Sequence, residues 1–122
     1  MNIGSRISTG IDFDRDGKQV GYLNLPHSSD ISAHGNICIP IAVIRNGDGP
    51  TALFEGGNHG DEYEGQVGLL KLIRSLQPDQ IRGRVIILPS ANFPAVEAGT
   101  RNSPIDGGNL NRSFPGDPNG GP

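Results

Sequence analysis

The sequence predicts an α/β fold in which a strand–helix–strand crossover is the clearest unit. An apolar run at 51–54 ends at a pair of glycines, and apolar residues recur at helical spacing over 67–76. A second short apolar run at 84–88 is bounded by Gly83 and Pro89. Because such a crossover within one sheet is right-handed, the two strands are expected to run parallel.

Residues 1–35 are expected to form a small N-terminal β appendage, and residues 36–122 the main domain. Within the appendage, residues 21–25 alternate enough for one strand, and residues 14–18 have the composition of a turn.

The next strand is predicted at 37–44, where the apolar run is nearly continuous. Pro40 cannot donate a ladder hydrogen bond, which favours a sheet edge or a bulge. The turn residues at 46–50 join this strand to 51–55, so the two are predicted to form an antiparallel hairpin. We expect the second strand to be buried.

The predicted helix ends before Pro78 and presents a wide apolar stripe to the core. The stripe is formed by Val67, Leu69, Leu70, Leu72, Ile73 and Leu76. Beyond the last strand, residues 92–98 could hold one helical turn. From Gly99 onward the chain is rich in Gly, Asn, Ser, Pro and Asp, which indicates a disordered or functional loop, and we expect it to be mobile.

The composition argues against several kinds of partner. Ten Lys and Arg face 13 Asp and Glu, with a net charge of -3 and no basic run, so nucleic acid is not expected to bind. A lone Cys38 is expected to be a small core residue, compatible with a reducing cytoplasm. No apolar run has the length of a signal peptide core or a membrane span, so we expect a cytoplasmic protein without a membrane partner.

The most informative motif is Gly-Gly-Asn-His-Gly-Asp-Glu-Tyr-Glu-Gly at 56–65, between the predicted strand and helix. Its glycines allow a sharp turn at the carboxyl end of a strand, where open α/β sheets bind ligands. His59 and Glu62 carry donor types that Zn²⁺ prefers. The plain alternative is a turn histidine followed by an acid that favours the helix dipole.

A second motif, Asn-Leu-Asn-Arg-Ser-Phe-Pro-Gly, lies at 109–116. Together with 57–62, it resembles the succinylglutamate desuccinylase/aspartoacylase family, whose fold and zinc site are related to the zinc carboxypeptidases. The resemblance covers about 51–116. It implies a truncated zinc-carboxypeptidase-like mixed sheet, with 36–122 as the N-terminal part of a deacylase catalytic domain.

The resemblance implies a role for each of five residues. His59 and Glu62 would bind Zn²⁺, and Asn111 with Arg112 would hold the α-carboxylate of the substrate. Arg101 would be catalytic, polarising the scissile carbonyl and stabilising the oxyanion. The clamp is chemically reasonable because a guanidinium group binds a carboxylate through two hydrogen bonds. The alternative for Arg112 is a solvated loop arginine.

The implied activity is zinc-dependent hydrolysis of the amide bond of a small N-acyl amino acid. Within the family, residues 103–116 and the N-terminal appendage look most like the bacterial deacetylases that act on N-acetyl-diaminobutyrate. The family's third ligand, a downstream His, and its general base, a later Glu, have no counterpart here, because no histidine follows Glu62. His27 and His34 are interpreted as surface residues. We therefore expect the 122-residue chain alone to be inactive.

Alternatives remain open at this stage. A metallocarboxypeptidase would use the same carboxylate clamp, and a non-catalytic fragment or interaction module would keep the crossover without the metal. A homo-oligomer is also left open. Asp61 either orients His59 or caps the helix, and the cap is favoured. Glu55 and Glu64 are interpreted as structural.

Overall fold

The architecture is a five-stranded mixed sheet in the order β1-β2-β3-β5-β4, with helix α1 packed on one face. The structure is a computed structural model that describes residues 5–117 and 119–121. The strands are β1 Ser8–Thr9, β2 Gly17–Pro26, β3 Asn36–Asn46, β4 Thr51–Glu55 and β5 Gly83–Leu88. The helices are α1 Tyr63–Ser75 and α2 Phe93–Ala98, with 3₁₀ turns at Pro78–Gln80 and Leu110–Arg112.

The predicted crossover is confirmed. β4 and β5 pair in parallel, from Thr51 opposite Arg84 to Glu55 opposite Leu88, and α1 connects them. The α/β fold class with its mixed sheet is thereby confirmed as well.

The predicted hairpin between β3 and β4 is wrong, because β5 lies between them. β5 pairs antiparallel with β3, from Ala42 opposite Ile87 to Asn46 opposite Gly83. The connection before β4 passes over the start of β5, where the Pro50 carbonyl accepts from the Arg84 amide at 2.9 Å. A Cβ on Gly49 would come within 2.9 Å of Gly83 Cα, so the two chain segments pass this closely because both residues lack side chains.

The expected burial of β4 is also wrong. All five of its residues are exposed, including Leu53 at 59% and Phe54 at 44%. β4 is the last strand of the sheet and has only β5 beside it, which leaves one of its edges unpaired in the described part of the chain.

The strand that contains Pro40 is central rather than at an edge. Pro40 nevertheless meets no ladder partner on one side, because β5 pairs only from Ala42 onward. Opposite Pro40 lies Tyr22, whose carbonyl accepts from the Thr9 hydroxyl on the far side, at 2.8 Å. The amide and carbonyl of a strand residue point to the same side in an antiparallel sheet, so the missing N–H of Pro40 faces away from β2.

The core lies between α1 and the centre of the sheet. Ala42, Ile44 and Ile87 are fully buried, and they pack against Leu69, Leu72, Ile73, Leu76, Ile81 and Val85. The apolar stripe of α1 is narrower than predicted, because Val67 is 49% and Leu70 is 45% exposed.

β2, which lies within the predicted N-terminal appendage, belongs to the same sheet as the crossover strands β4 and β5. β2 pairs with β3 over its whole length, from Gly17 to Pro26. Lys18 Nζ donates to the Leu76 carbonyl at 2.9 Å, and Arg84 Nη1 donates to the Phe13 carbonyl at 3.0 Å. The division of the chain at residue 35 stays a prediction.

The segment after α2 folds into hydrogen-bonded turns. The Ser103 amide donates to Gly108 O at 3.0 Å, and the Gly107 amide donates to Ser103 O at 2.9 Å. Across the described residues, no helix is long and apolar enough to cross a membrane.

Candidate metal centre

The loop that follows β4 is fixed by backbone hydrogen bonds to the chain that follows β5. Gly56 N donates to Leu88 O at 2.9 Å, Ala91 N donates to Gly56 O at 2.9 Å, and Asn92 N donates to Gly57 O at 3.0 Å. The parallel pairing therefore continues beyond both strands and holds the loop at their carboxyl ends, where open α/β sheets bind ligands.

Two glycines let this loop approach its neighbours closely. Gly57 has φ of 68°, and a Cβ there would lie 2.9 Å from Ser90 Cα and from Val96 Cγ2. A Cβ on Gly60 would overlap the carbonyl of Ala95. The sequence predicted that these glycines allow a sharp turn. Glycine is needed at Gly57 for its positive φ, and at both positions because a side chain would collide with the neighbouring chain.

His59 and Glu62 converge at the end of this loop. His59 is 7% exposed, and its Nδ1 lies 2.9 Å from Glu62 Oε1. The Glu62 side chain is 59% exposed, so a carboxylate at the surface contacts a buried imidazole. The spacing of the two residues places both donors at one point, as a shared cation requires.

The other ring nitrogen of His59 contacts a residue that the sequence analysis did not select. Asn109 Oδ1 lies 3.0 Å from His59 Nε2, although the two residues are 50 positions apart. The same oxygen accepts from the amide of Asn111 at 3.1 Å, at the start of the 3₁₀ turn Leu110–Arg112. Position 109 opens the second motif, and this was the only signal of its importance in the sequence.

Arg101 also reaches the centre. Its Nη1 donates to Glu62 Oε1 at 3.3 Å, and both side chains are more than half exposed. The guanidinium partly balances the negative charge of Glu62. Arg101 is therefore beside the candidate metal ligands, as its predicted role requires.

Asn111 and Arg112 lie next to the centre without contacting it. Both are exposed on the 3₁₀ turn that Asn109 caps. In the described residues, their side chains make no hydrogen bond or ion pair. Their use as a carboxylate clamp stays a prediction, and an open clamp is what an approaching carboxylate would need.

Gln66 is a second residue that the sequence analysis missed. It is 6% exposed, and its Nε2 donates to the carbonyls of Gly60 and Glu62, each at 3.1 Å. The available signal in the sequence was a glutamine directly before the apolar stripe of the predicted helix. Its amide ties the loop to the first turn of α1 and so holds the backbone that carries Glu62.

The cap expected from Asp61 does not form. α1 begins after Glu62, which occupies the N-cap position without a side-chain cap. Asp61 is exposed, and Glu64 lies exposed on the first turn, in keeping with its structural interpretation. The side chain of Glu62 is turned toward His59 instead of its own helix end.

The donor set fits part of a zinc site. His59 Nδ1 and Glu62 Oε1 are suitable ligands, and in the preceding residue the buried acceptor Asn58 Oδ1 has no hydrogen-bond partner. Within residues 5–117 and 119–121, no group of three or more His, Cys, Asp or Glu side chains could hold a metal ion. Two ligands are present, where catalytic zinc sites usually have three from protein.

Comparison with known proteins identifies the class to which this fold and site belong. The sequence profile of the succinylglutamate desuccinylase/aspartoacylase catalytic domain matches residues 48–122. The chain belongs to this family, as its two motifs predicted.

Several relatives are highly similar. The chain is 59% identical over 116 residues to the N-alpha-acetyl-L-2,4-diaminobutyric acid deacetylase of Halomonas elongata, covering 95% of this chain and 34% of the relative. The product-bound ectoine utilization protein of Ruegeria pomeroyi has a TM-score of 0.94 at 56% identity, over 97% of this chain and 36% of that one. A succinylglutamate desuccinylase/aspartoacylase of Rhodobacter sphaeroides has a TM-score of 0.91 at 55% identity, over 96% and 36% of the two chains.

These matches are to proteins that carry the names of deacylases, a class of hydrolases. They also show that the chain spans about a third of the length of these relatives.

Proposed function

We propose that this chain contributes half of the metal site, and the carboxylate clamp, of a zinc-dependent deacylase that hydrolyses the amide bond of a small N-acyl amino acid. The observation that carries the proposal is the convergence of His59 Nδ1 and Glu62 Oε1, 2.9 Å apart, on a loop at the carboxyl ends of a parallel strand pair. Zinc, when bound there, supplies a Lewis acid for the acyl carbonyl and activates water.

The other residues bind and orient the substrate. Arg101, which lies against Glu62, would donate to the oxygen of the scissile carbonyl as negative charge develops on it. Asn111 and Arg112 would hold the α-carboxylate through the planar guanidinium and a neighbouring amide. We expect the third zinc ligand and the general base to correspond to residues in the part of the relatives that this chain does not match.

The proposed substrate is N-acetyl-diaminobutyrate, because the Halomonas relative that carries this activity in its name is 59% identical. We also propose a cytoplasmic location, since a small N-acyl amino acid is a metabolite of the cell interior. Neither nucleic acid nor membrane is part of the proposal.

A chimera tests this function. Residues 1–116 of this chain replace the matching third of the Halomonas deacetylase, and acetate release is measured with and without zinc. We expect zinc-dependent hydrolysis of N-acetyl-diaminobutyrate, its loss in His59→Ala and Glu62→Ala, and a raised KM in Arg112→Lys. Arg82→Lys, at an exposed position in another loop, is the matched control.

The substrate panel decides between the alternatives. Faster cleavage of C-terminal residues from peptides would replace the deacylase proposal with a carboxypeptidase. A folded chimera that binds no zinc, beside an active Halomonas parent, would favour a non-catalytic module.

A further inference from the structure

We propose that Leu110 is a positioning residue that anchors the carboxylate clamp, Asn111 and Arg112, in an apolar cavity formed with β2 and β3. The inference rests on the proposed function for the role of the clamp. The anchoring itself depends only on how this chain packs.

The clamp residues are not held in place by their own side chains. In the described part of the chain, the exposed side chains of Asn111 and Arg112 make no hydrogen bond or ion pair. The turn that carries them is closed by two backbone bonds of 2.9 Å, from the amides of Arg112 and Ser113 to the carbonyls of Asn109 and Leu110. A single 3₁₀ turn is not stable alone, so it needs packing against the rest of the molecule.

Leu110 is the one apolar residue between the first asparagine of the second motif and Arg112. Its neighbours on both sides belong to the candidate site, since Asn109 contacts His59 and Asn111 begins the proposed clamp. Leu110 itself is partly buried and lines a cavity of about 140 Å³. It is therefore the residue of this turn that can supply apolar packing.

The facing wall of the cavity comes from the N-terminal half of the sheet. Leu25 pairs with Ile37 across β2 and β3, and Ile39 lies two residues further along on the same face of the sheet. All three line the cavity together with Leu110. Part of the predicted N-terminal appendage thus forms the surface on which the second motif packs.

This surface is separate from the main core. Ala42 and Ile44 of β3 pack toward α1, whereas Ile37 and Ile39 occupy odd positions of the same strand and face the other side of the sheet. A change in the cavity can therefore alter the clamp while the packing under α1 stays intact.

Hydrogen exchange in the 122-residue chain, followed by NMR, tests the anchoring. The amides of Arg112 and Ser113 close the turn, so their exchange rates measure its opening. We expect Leu110→Ala to raise both rates about 10-fold, because most of the apolar contact is lost. Leu110→Met, which conserves the volume, should keep them near the wild-type values. Leu25→Ala removes the facing wall without changing the motif and should raise them too.

Leu72→Ala is the matched control for folding. It makes the same change at another partly buried leucine, which packs against the core on the α1 side. It is expected to lower Tm and to leave the exchange of the two turn amides unchanged. An equal rise in Leu72→Ala and Leu110→Ala would overturn the proposal.

The chimera with the Halomonas deacetylase tests the effect on the clamp. Leu110→Ala is expected to raise KM for N-acetyl-diaminobutyrate about 10-fold with little change in kcat, because the clamp binds a group that does not react. The α-carboxamide of the same compound offers no carboxylate to the clamp, so wild type and Leu110→Ala should cleave it equally well. Leu110→Met should restore KM.

Unchanged exchange in both Leu110→Ala and Leu25→Ala would overturn the anchoring. An equal loss with the carboxylate and the carboxamide substrates would overturn the link to the clamp. Failure of the proposed function gives a different result: the wild-type chimera releases no acetate, while the effect of Leu110→Ala on exchange remains.

Discussion

Gln66 is buried and holds in place the loop that carries the candidate ligand Glu62. It is the only fully buried residue of α1, and its amide holds two carbonyls of the loop that precedes the helix. The position of Glu62 therefore depends on a side chain that contacts neither metal nor substrate.

Gln66→Leu is expected to lower the free energy of unfolding by about 1–3 kcal/mol, because it leaves the buried carbonyl of Gly60 without its side-chain donor. Urea denaturation followed by circular dichroism measures the change. Lys71→Leu, at an exposed position of the same helix, is the control and should have little effect. A loss of the same size in both variants would contradict the role assigned to Gln66.

Gly60→Ala is expected to destabilise the chain by about 1–3 kcal/mol, because the added methyl overlaps the Ala95 carbonyl and the loop must move. Zinc affinity should fall with it, since His59 and Glu62 flank this position. In Gly68→Ala the new Cβ meets nothing within 4 Å, and helix propensity should raise stability by up to about 1 kcal/mol. Thermal unfolding of both variants gives the comparison, and equal signs would argue against the steric explanation.

Arg101→Met is expected to raise the zinc affinity of the 122-residue chain by up to about 5-fold, the equivalent of about 1 kcal/mol for an exposed ion pair. The arginine competes with a cation for Glu62 when no substrate is present. Chelator competition measures the change, with Arg82→Met as the matched exposed arginine. In the chimera the same variant should lower kcat, and a fall in zinc affinity would contradict the competition.

The residues of the centre differ in how far the sequence could reveal them. His59 and Glu62 are three positions apart at a helix start, so their convergence follows from local geometry. Asn109 reaches His59 only because the segment after α2 folds back over the sheet, and no periodic pattern encodes that path. The second motif marked the right segment but directed attention to Asn111 and Arg112. Gln66 lay unnoticed within an apolar helical stripe.

At the scale of the elements, β5 shows why the order of strands in the sheet was harder to predict than the strands themselves. Its apolar run correctly predicted a strand, and the crossover required that strand to lie parallel to β4. The same pattern is satisfied on either side of β4. The position next to β3 is determined by the close passage of Gly49 over Gly83, a contact between two residues without side chains.

The prediction for β4 was wrong about its burial. Its apolar residues suggested burial, yet Leu53 and Phe54 are exposed on a strand with one unpaired edge. Unpaired apolar edges are templates for pairing with another chain. In the longer relatives, additional chain is available to cover this surface.

We therefore expect the 122-residue chain to self-associate as its concentration rises, and Leu53→Lys to reduce that association. The charge disfavours pairing of the edge with a second copy. Sedimentation velocity over a concentration series measures the effect. Ile31→Lys, which changes an exposed isoleucine in a loop, is the control. Equal behaviour of both variants would show that β4 is not the associating edge.

At the scale of the whole molecule, the chain is a sheet that carries two candidate metal ligands, His59 and Glu62, in the loop after β4. A site with two protein ligands binds zinc weakly, so little of the binding free energy is available to stabilise the fold. The chimera with the Halomonas deacetylase would supply the rest of the ligands.

Zinc is accordingly expected to raise the Tm of the chimera by several degrees more than that of the 122-residue chain, because stabilisation follows the affinity for the folded state. Differential scanning calorimetry with and without zinc measures both shifts. His59→Ala should abolish the difference in the chimera. Equal shifts in chimera and chain would mean that no ligand outside this chain contributes.

The backbone bonds from Ala91 to Gly56 and from Asn92 to Gly57 also bear on the motions of the centre. They join the loop of His59 to the chain immediately after β5. Amide hydrogens in one cooperative unit exchange with solvent at a common opening free energy. The amides of Ala91 and Asn92 should therefore exchange as slowly as those of β5, and they can report opening of the centre without a probe on any ligand residue.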